Sequence, residues 1–255
     1  MIVQHVGQVG FIPQRIVSLV PSQTELLAYL DLEKETAGIT KFCIYPPGWQ
    51  TSKQVIGGTK NVNIGLVRSM QPDLIIANKE ENVKEQVEEL AKDHTVWVTD
   101  INNLDQALQM ILDIGLITGK PGKAEQLVSD ITLRFNSIPS LLTPVRTAYL
   151  VWKEPLMAVG GHTFINDLLQ RCGFHNVFEA TSRYPVINME ELLLNECQLL
   201  LLSSEPYPFN EKHIREFETL LPGTRILLAD GEFFGWYGSR LLQAPAYFEE
   251  LLAKI

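Results

Sequence analysis

Three cysteines in 255 residues are few, and Cys43, Cys172 and Cys197 lie too far apart in the chain to form a C-x-x-C pair. That excludes a disulfide framework and a cysteine-built zinc site, and predicts reduced, mostly buried thiols. Basic residues are also short, with 21 Lys and Arg against 30 Asp and Glu for a formal net charge of -9. A phosphate backbone calls for a basic face, so nucleic acid is excluded as a partner. No uninterrupted apolar run is long enough to cross a membrane as a helix. The N-terminus has neither a basic region leading into an apolar core and a small-residue cleavage site nor a cysteine for lipidation. As written the chain reads as cytoplasmic, and as periplasmic if a leader has been removed. Enzyme signatures are missing too: there is no G-x-x-x-x-G-K-[ST] loop, no G-x-G-x-x-G after the first strand, no G-x-S-x-G elbow and no H-E-x-x-H. The expectation is therefore a protein that is not an enzyme.

What is present is a folded chain, 45% hydrophobic with both charge signs interspersed. Residues 119–142, GKPGKAEQLVSDITLRFNSIPSLL, read as one long helix. Ala124, Leu127, Val128, Ile131, Phe135 and Ile138 recur at spacings of three and four and line one face. Pro121 suits a first turn and Pro139 a helix end. Strands alternate with helices on both sides of it. RIVSLV, TAGIT, DLIIAN and TVWVTD before it, and TAYLVW, LLLLSS and RILLAD after it, read as strands, with amphipathic segments between them. The helix that follows RIVSLV is expected to begin with Ser22 or Thr24 near its N-cap. Such alternation specifies parallel sheets covered by helices. The fold class is α/β: two Rossmann-like lobes with parallel sheets, an N-terminal lobe over 1–118, a connecting backbone helix over 119–142 and a C-terminal lobe over 143–255.

Polar and aromatic loops follow the strands, where ligands bind in open α/β sheets. FCIYPPGW offers Phe42, Tyr45 and Trp49, either to stack on a flat ligand or to cap the core. NKEEN offers Asn78 as a polar contact, with Glu80 and Glu81 as charge partners or as a solvated helix start. In WKEPLMAVGGHTFINDLL, Gly160 and Gly161 allow tight turns or close backbone approach. His162 is either a capping residue or a weak candidate for axial ligation of a chelated metal; no other metal site is expected. SSEPYPF and DGEFFGWYGSR bring Glu205, Tyr207, Glu232, Phe233, Trp236, Tyr237 and Arg240, suited to a mixed apolar and polar pocket, with Arg240 paired to Glu232 or gripping a ligand carboxylate. A distant histidine near Cys43 would be needed for a nucleophile pair.

Together the opening VGQVGFIPQRIVSLVPSQTELLAYL, the GGT preceding a helix and QPDLIIAN, the GGHTFINDLLQRCGFHNVF block and SRYPVINMEELL resemble the helical-backbone substrate-binding proteins. That family serves ABC importers of cobalamin, haem and ferric siderophores, and its cobalamin-binding branch is near in pattern. The resemblance runs from about residue 7 to the C-terminus. It implies two α/β lobes bridged by a stiff helix, and a metal chelate held in the cleft as ligand rather than as intrinsic cofactor. The positions matching the aromatics that sandwich the corrin are Phe42, Thr59, Asn78 and Tyr184, two aromatic and two polar. Permeases of the family dock on one acidic residue per lobe. Glu190 matches the second, whereas Gly65 stands where the first is expected, which puts a permease partner in doubt. The alternatives are a cytoplasmic carrier or sensor of such a ligand without a permease, and a chelatase-like enzyme in which His162 works with Glu205 or Glu232.

Overall fold

The first half supplies eight strands in the computed structural model, which describes residues 1–3, 5–139 and 141–255. They are β1 (Ile2–Val3), β2 (Ile16–Ser18), β3 (Thr36–Ile39), β4 (Gln54–Val55), β5 (Gly57–Gly58), β6 (Asn61–Val62), β7 (Leu74–Asn78) and β8 (Val96–Thr99). Between and after them lie α1 (Pro21–Tyr29), α2 (Trp49–Ser52), α3 (Ile64–Ser69), α4 (Lys84–Leu90), α5 (Leu104–Ile117) and α6 (Pro121–Phe135). The sheet runs β1-β8-β7-β2-β3-β4 with every pair parallel, and β5 with β6 forms a separate antiparallel hairpin. All five residues of β7 are buried, as expected of a strand covered on both faces. Val17, Leu19, Ile75, Ala77, Val87 and Leu90 form the core against one of those faces. Helix α1 opens on Pro21 in its first turn with Val20 as N-cap, not on Ser22 or Thr24. Proline needs no hydrogen-bond partner there and its φ is already helical. The Thr24 hydroxyl instead donates back to the Val20 carbonyl at 2.9 Å.

Helix α6 occupies the middle of the 119–142 span, and Ser140 lies outside the described residues. The helix ends at Phe135, short of the expected 142; Ala124, Leu127, Ile131 and Phe135 of the predicted stripe are buried, whereas Val128 is half-buried and Ile138 lies beyond the helix end.

The second half carries β9 (Val145–Trp152), β10 (Met157–Ala158), β11 (Phe174–Asn176), β12 (Leu199–Ser203) and β13 (Arg225–Ala229). Its helices are α7 (Phe164–Arg171), α8 (Met189–Leu194), α9 (Glu211–Leu220), α10 (Gly231–Gly235) and α11 (Ala244–Leu252). β9, β12 and β13 are parallel; β10 and β11 both pair with β9, the former antiparallel. Both halves are thus α/β with largely parallel sheets, as the alternation predicts. The packed units are Met1–Ile101, Asp105–Thr132 and Tyr237–Leu242 for the first, and Asn102–Leu104, Leu133–Trp236 and Gln243–Ile255 for the second. A short 3-10 turn, Ser239–Leu242, therefore returns from the end of the chain to pack with α1 of the first unit.

Candidate functional site

In the first unit the chain leaves β2 towards β3 on one side and later leaves β7 towards β8 on the other. Connections that diverge in this way open a crevice at the carboxyl ends of the two strands, the usual ligand edge of such a sheet. One side chain ties this edge together. Asn82 is buried, accepts from the backbone N–H of Asn78 at 2.8 Å, and donates to the carbonyls of Leu19 at 3.2 Å and Thr59 at 3.1 Å. It thereby joins the loops that follow β2, β5 and β7. Asn82 escaped the sequence reading because it closes a charged run that looks like an ordinary helix start.

Asn78, expected as a ligand contact, has both ends of its amide engaged within the unit. Its Nδ2 donates to Thr99 O at 3.1 Å, and its Oδ1 accepts from the N–H groups of Glu80 and Glu81 at 2.8 and 3.1 Å. Asn78 Nδ2 also lies 3.2 Å from the Thr99 hydroxyl, to which Gln23 on α1 donates at 2.7 Å. Burial pushes the Glu81 carboxyl above the ordinary carboxylate range; Lys60 opposes the shift and Glu80 adds to it.

The loop after β3 is anchored by Cys43, whose buried sulfur lies 3.1 Å from the Thr24 hydroxyl and 3.2 Å from that of Thr40. Its neighbours on either side turn outward: Phe42 is 49% exposed and Ile44 47%. The Phe42 ring lies beside the β5–β6 hairpin that carries Thr59, so close that a Cβ on Gly58 would come 3.1 Å from the ring. The Lys41 ammonium stands 5.0 Å over that ring. Desolvation raises the Cys43 thiol pKa, so this sulfur is a buried thiol rather than an activated nucleophile.

Tyr45 is half-buried, with the Arg240 guanidinium 4.1 Å from its ring centroid. Arg240 is itself buried and pairs with Glu25 of α1 at 2.9 Å. Glu25 also went unnoticed in the sequence, where TELL reads as plain amphipathic helix. Trp49 is buried and covered by the Lys53 ammonium, 5.2 Å over its ring, so this ring packs the loop against the core. Tyr237 is likewise buried. The first unit therefore sets Phe42 beside the hairpin that carries Thr59, links Asn78 to that hairpin through Asn82, and holds Tyr45 with Arg240 beside α1.

The second unit has its own divergence, β9 towards β10 and β11 on one side and β12 towards β13 on the other. Trp152, 39% exposed, meets Tyr207 edge-on at 5.6 Å. Tyr207 also packs on Phe209 at 4.7 Å and on His213 at 5.5 Å, against the hydrophobic core, which is the capping role of such a ring. Trp236 is buried and its indole N–H donates to Glu205 at 2.8 Å. Phe233 stacks on Tyr247 at 4.7 Å, and the Glu232 backbone N–H is capped by Asp230.

His162 is exposed with φ of 59°, next to Thr163, which caps α7 by accepting from Asn166 N–H. It lines a polar recess of about 270 Å³ with Asn102, Asn103, Asn166, Asp167 and Glu179. Among the described residues no group of three or more His, Cys, Asp and Glu could hold a metal ion. The two glycines before His162 are there for close backbone approach: a Cβ on Gly160 would fall 2.1 Å from Thr181 O, and one on Gly161 2.2 Å from Glu179 O. Tyr184 is half-buried on the segment those glycines receive. Glu190 is exposed in the first turn of α8, and Gly65 sits in the first turn of α3.

The model of the periplasmic binding protein family matches residues 16–220. The vitamin B12-binding protein of Pectobacterium atrosepticum is 22% identical over 255 residues, covering 96% of this chain and 90% of that protein. Solved structures share the fold, two of them from Vibrio cholerae. The periplasmic vitamin B12 binding protein BtuF of Vibrio cholerae superposes with a TM-score of 0.80 at 20% identity, covering 96% of this chain and 98% of the other. The periplasmic haem-binding protein HutB of Vibrio cholerae gives 0.80 at 19%, covering 94% and 98%. Among the described residues no helix is long and apolar enough to cross a membrane.

Proposed function

Since this chain belongs to the periplasmic binding protein family, whose model spans its residues 16–220, we propose that it is a non-catalytic binding protein for a metal chelate of the cobalamin or haem class. The observation that carries this reading is the exposed Phe42 ring at the carboxyl edge of a parallel sheet, on a loop fixed by the buried Cys43 and beside the hairpin bearing Thr59. A half-exposed aromatic on an anchored loop offers a ready-made stacking face, at about 0.5 to 1.5 kcal/mol per ring beyond area burial. Tyr45 supplies a second ring on the same loop, and Tyr184, Tyr207, Trp236, Tyr237, Thr59, Asn78, His162 and Arg240 remain contacts to be tested one by one. The names of the vitamin B12- and haem-binding relatives support the ligand class. Binding proteins of this kind deliver to ABC permeases. Here Glu190 is the docking residue of the second unit, and Gly65 leaves the corresponding position of the first without charge, which favours weak docking or a carrier role. The chelatase alternative has less support: the family is one of binding proteins, and Glu205, one of the partners that reading gives His162, accepts the Trp236 indole N–H at 2.8 Å.

The test is gel filtration of the purified protein with cobalamin, haemin or a ferric siderophore, reading visible absorbance that co-elutes. Retention of one chelate at micromolar affinity, weakened by Phe42→Ala, is the expected result. Retention of none would overturn the chelate reading.

A further inference from the structure

Three side chains from distant parts of the sequence meet beside α1 of the first unit. Arg240 is 8% exposed at its side chain and Glu25 17%; they pair through Nη2 to Oε1 at 2.9 Å and Nε to Oε2 at 3.2 Å. Nε donates a hydrogen bond to Oε2, while Nη2 stands against Oε1 of the same carboxylate as an ion-pair contact, so the carboxylate restrains the guanidinium along one edge. The guanidinium carbon, Cζ, lies 4.1 Å from the centroid of the Tyr45 ring, well inside cation–π range. The backbone is built to bring Arg240 there. Gly238 has φ of 128°, and a Cβ at that position would sit 3.1 Å from Ser22 O of α1 and 3.4 Å from the Leu26 side chain. The Ser239–Leu242 turn can settle on α1 this closely only because residue 238 has no side chain.

A buried ion pair is seldom the most stabilising way to fill such a space, since desolvating both charges offsets most of their attraction. Apolar residues would pack it at least as well. What the pair does that apolar residues cannot is hold a planar cation in one orientation under an aromatic ring.

Resting on the chelate-binding reading above, we propose that the Glu25–Arg240 pair is a positioning device for Tyr45. It fixes the plane on which that ring rests and so sets the ring face offered to the bound chelate. Glu25 and Arg240 act through Tyr45 in this role.

Two variants separate the parts. Arg240→Lys keeps a charge for Glu25 but loses the planar cation over the ring, and Glu25→Gln keeps the shape but releases the guanidinium. The first readout needs no ligand: the ring carbon signals of Tyr45 in tyrosine-labelled protein, assigned by Tyr45→Phe. Both variants should move the Tyr45 signals towards unstructured values while the other tyrosines stay in place. The second readout is affinity for cobalamin and for haemin, in the Tyr45 and the Tyr45→Leu backgrounds. With Tyr45 present each variant should weaken binding by about three- to thirtyfold, the range of a partly desolvated cation–π contact. With Leu at 45 neither should weaken it further. Equal losses in both backgrounds, or Tyr45 signals unmoved by either variant, would overturn the proposal. If wild-type protein retains neither chelate, the binding reading fails on its own, and the Tyr45 signals still decide whether the pair positions the ring. Should Glu25→Gln not fold, Arg240→Lys alone carries both readouts.

Discussion

Replacing Asn82 by alanine should loosen the ligand edge of the first unit and leave the second untouched. The Asn82 side chain makes three hydrogen bonds, to Asn78 N–H, Leu19 O and Thr59 O, in a residue only 7% exposed. Each such bond contributes about 1 kcal/mol net, and a partner left buried and unpaired costs about 1 to 3 kcal/mol. Water entering the small gap would recover part of that, so the expected loss is about 2 to 4 kcal/mol. Asn82→Asp is the sharper probe. It keeps the shape and the acceptor for Asn78 N–H but turns two donors into acceptors facing two carbonyls, and should cost at least as much as alanine. Urea unfolding followed through Trp97, buried on β8, reports the first unit, and a drop of about 1 M or more in midpoint is expected for either variant. Amide exchange should rise in the loops after β2, β5 and β7 together. If Asn82→Ala changes stability by less than about 0.5 kcal/mol, or exchange rises in one loop only, Asn82 does not tie the edge.

Three other outcomes follow from the same reasoning. Gly161→Ala should cost about 3 kcal/mol or more, because its Cβ would lie 2.2 Å from Glu179 O and the segment held by the 2.7 Å bond from Gly161 N–H to Thr181 O and the 2.8 Å bond from Arg183 N–H to Gly161 O must part; a thermal melt reads it. Cys43, Cys172 and Cys197 should resist a thiol reagent at pH 8 in native protein and react only after unfolding, since burial raises all three, Cys197 to about 11. Glu81 binds its proton more tightly folded than unfolded, so its contribution is most favourable below its ordinary value of 4.5 and is lost as pH rises through the raised folded value. Glu81→Gln should therefore raise stability at pH 7 relative to wild type and do little near pH 4, as paired urea titrations would register.

Much of the architecture is legible in the sequence, because runs such as DLIIAN and LLLLSS carry their own signal and become β7 and β12. Short strands such as β1, β4, β10 and β11 carry no period to read, and the partners that fix them lie in other segments of the chain. That strand-end loops would hold the notable residues was also readable, since the rule depends only on the alternation. Which rings face solvent was not. Phe42, Trp49, Tyr207 and Trp236 all follow strands or helix ends, yet only Phe42 is substantially exposed, because a loop's turn rather than its composition decides the direction of each ring. The ties themselves were invisible for a different reason. Asn82 and Glu25 occupy unremarkable positions in helical sequence and acquire their roles only from Leu19, Thr59 and Arg240, up to 215 residues away.

The commitments inside the first unit constrain what kind of recognition it can offer. Asn78, Asn82, Thr99 and Gln23 spend side-chain hydrogen bonds on one another or on the backbone. A ligand that needed the Asn78 amide would have to break bonds to Thr99 and to the turn at Glu80 and Glu81, each about 1 kcal/mol net and more if left unpaired. The neighbouring loop offers groups of another kind: the exposed Phe42 ring with its lysine, the exposed side chain of Ile44, and the half-buried Tyr45 on its arginine. Flat apolar faces backed by fixed cations select for a broad, polarisable ligand surface more than for a particular donor and acceptor pattern. Because the loops bearing them are already anchored, little ordering cost remains to be met on binding. Affinity for a planar chelate should consequently follow the rigidity of this edge, and a substitution at Asn82, whose side chain bonds the backbone of three loops, should weaken binding more than one at Thr59, which Asn82 holds through its main-chain carbonyl alone.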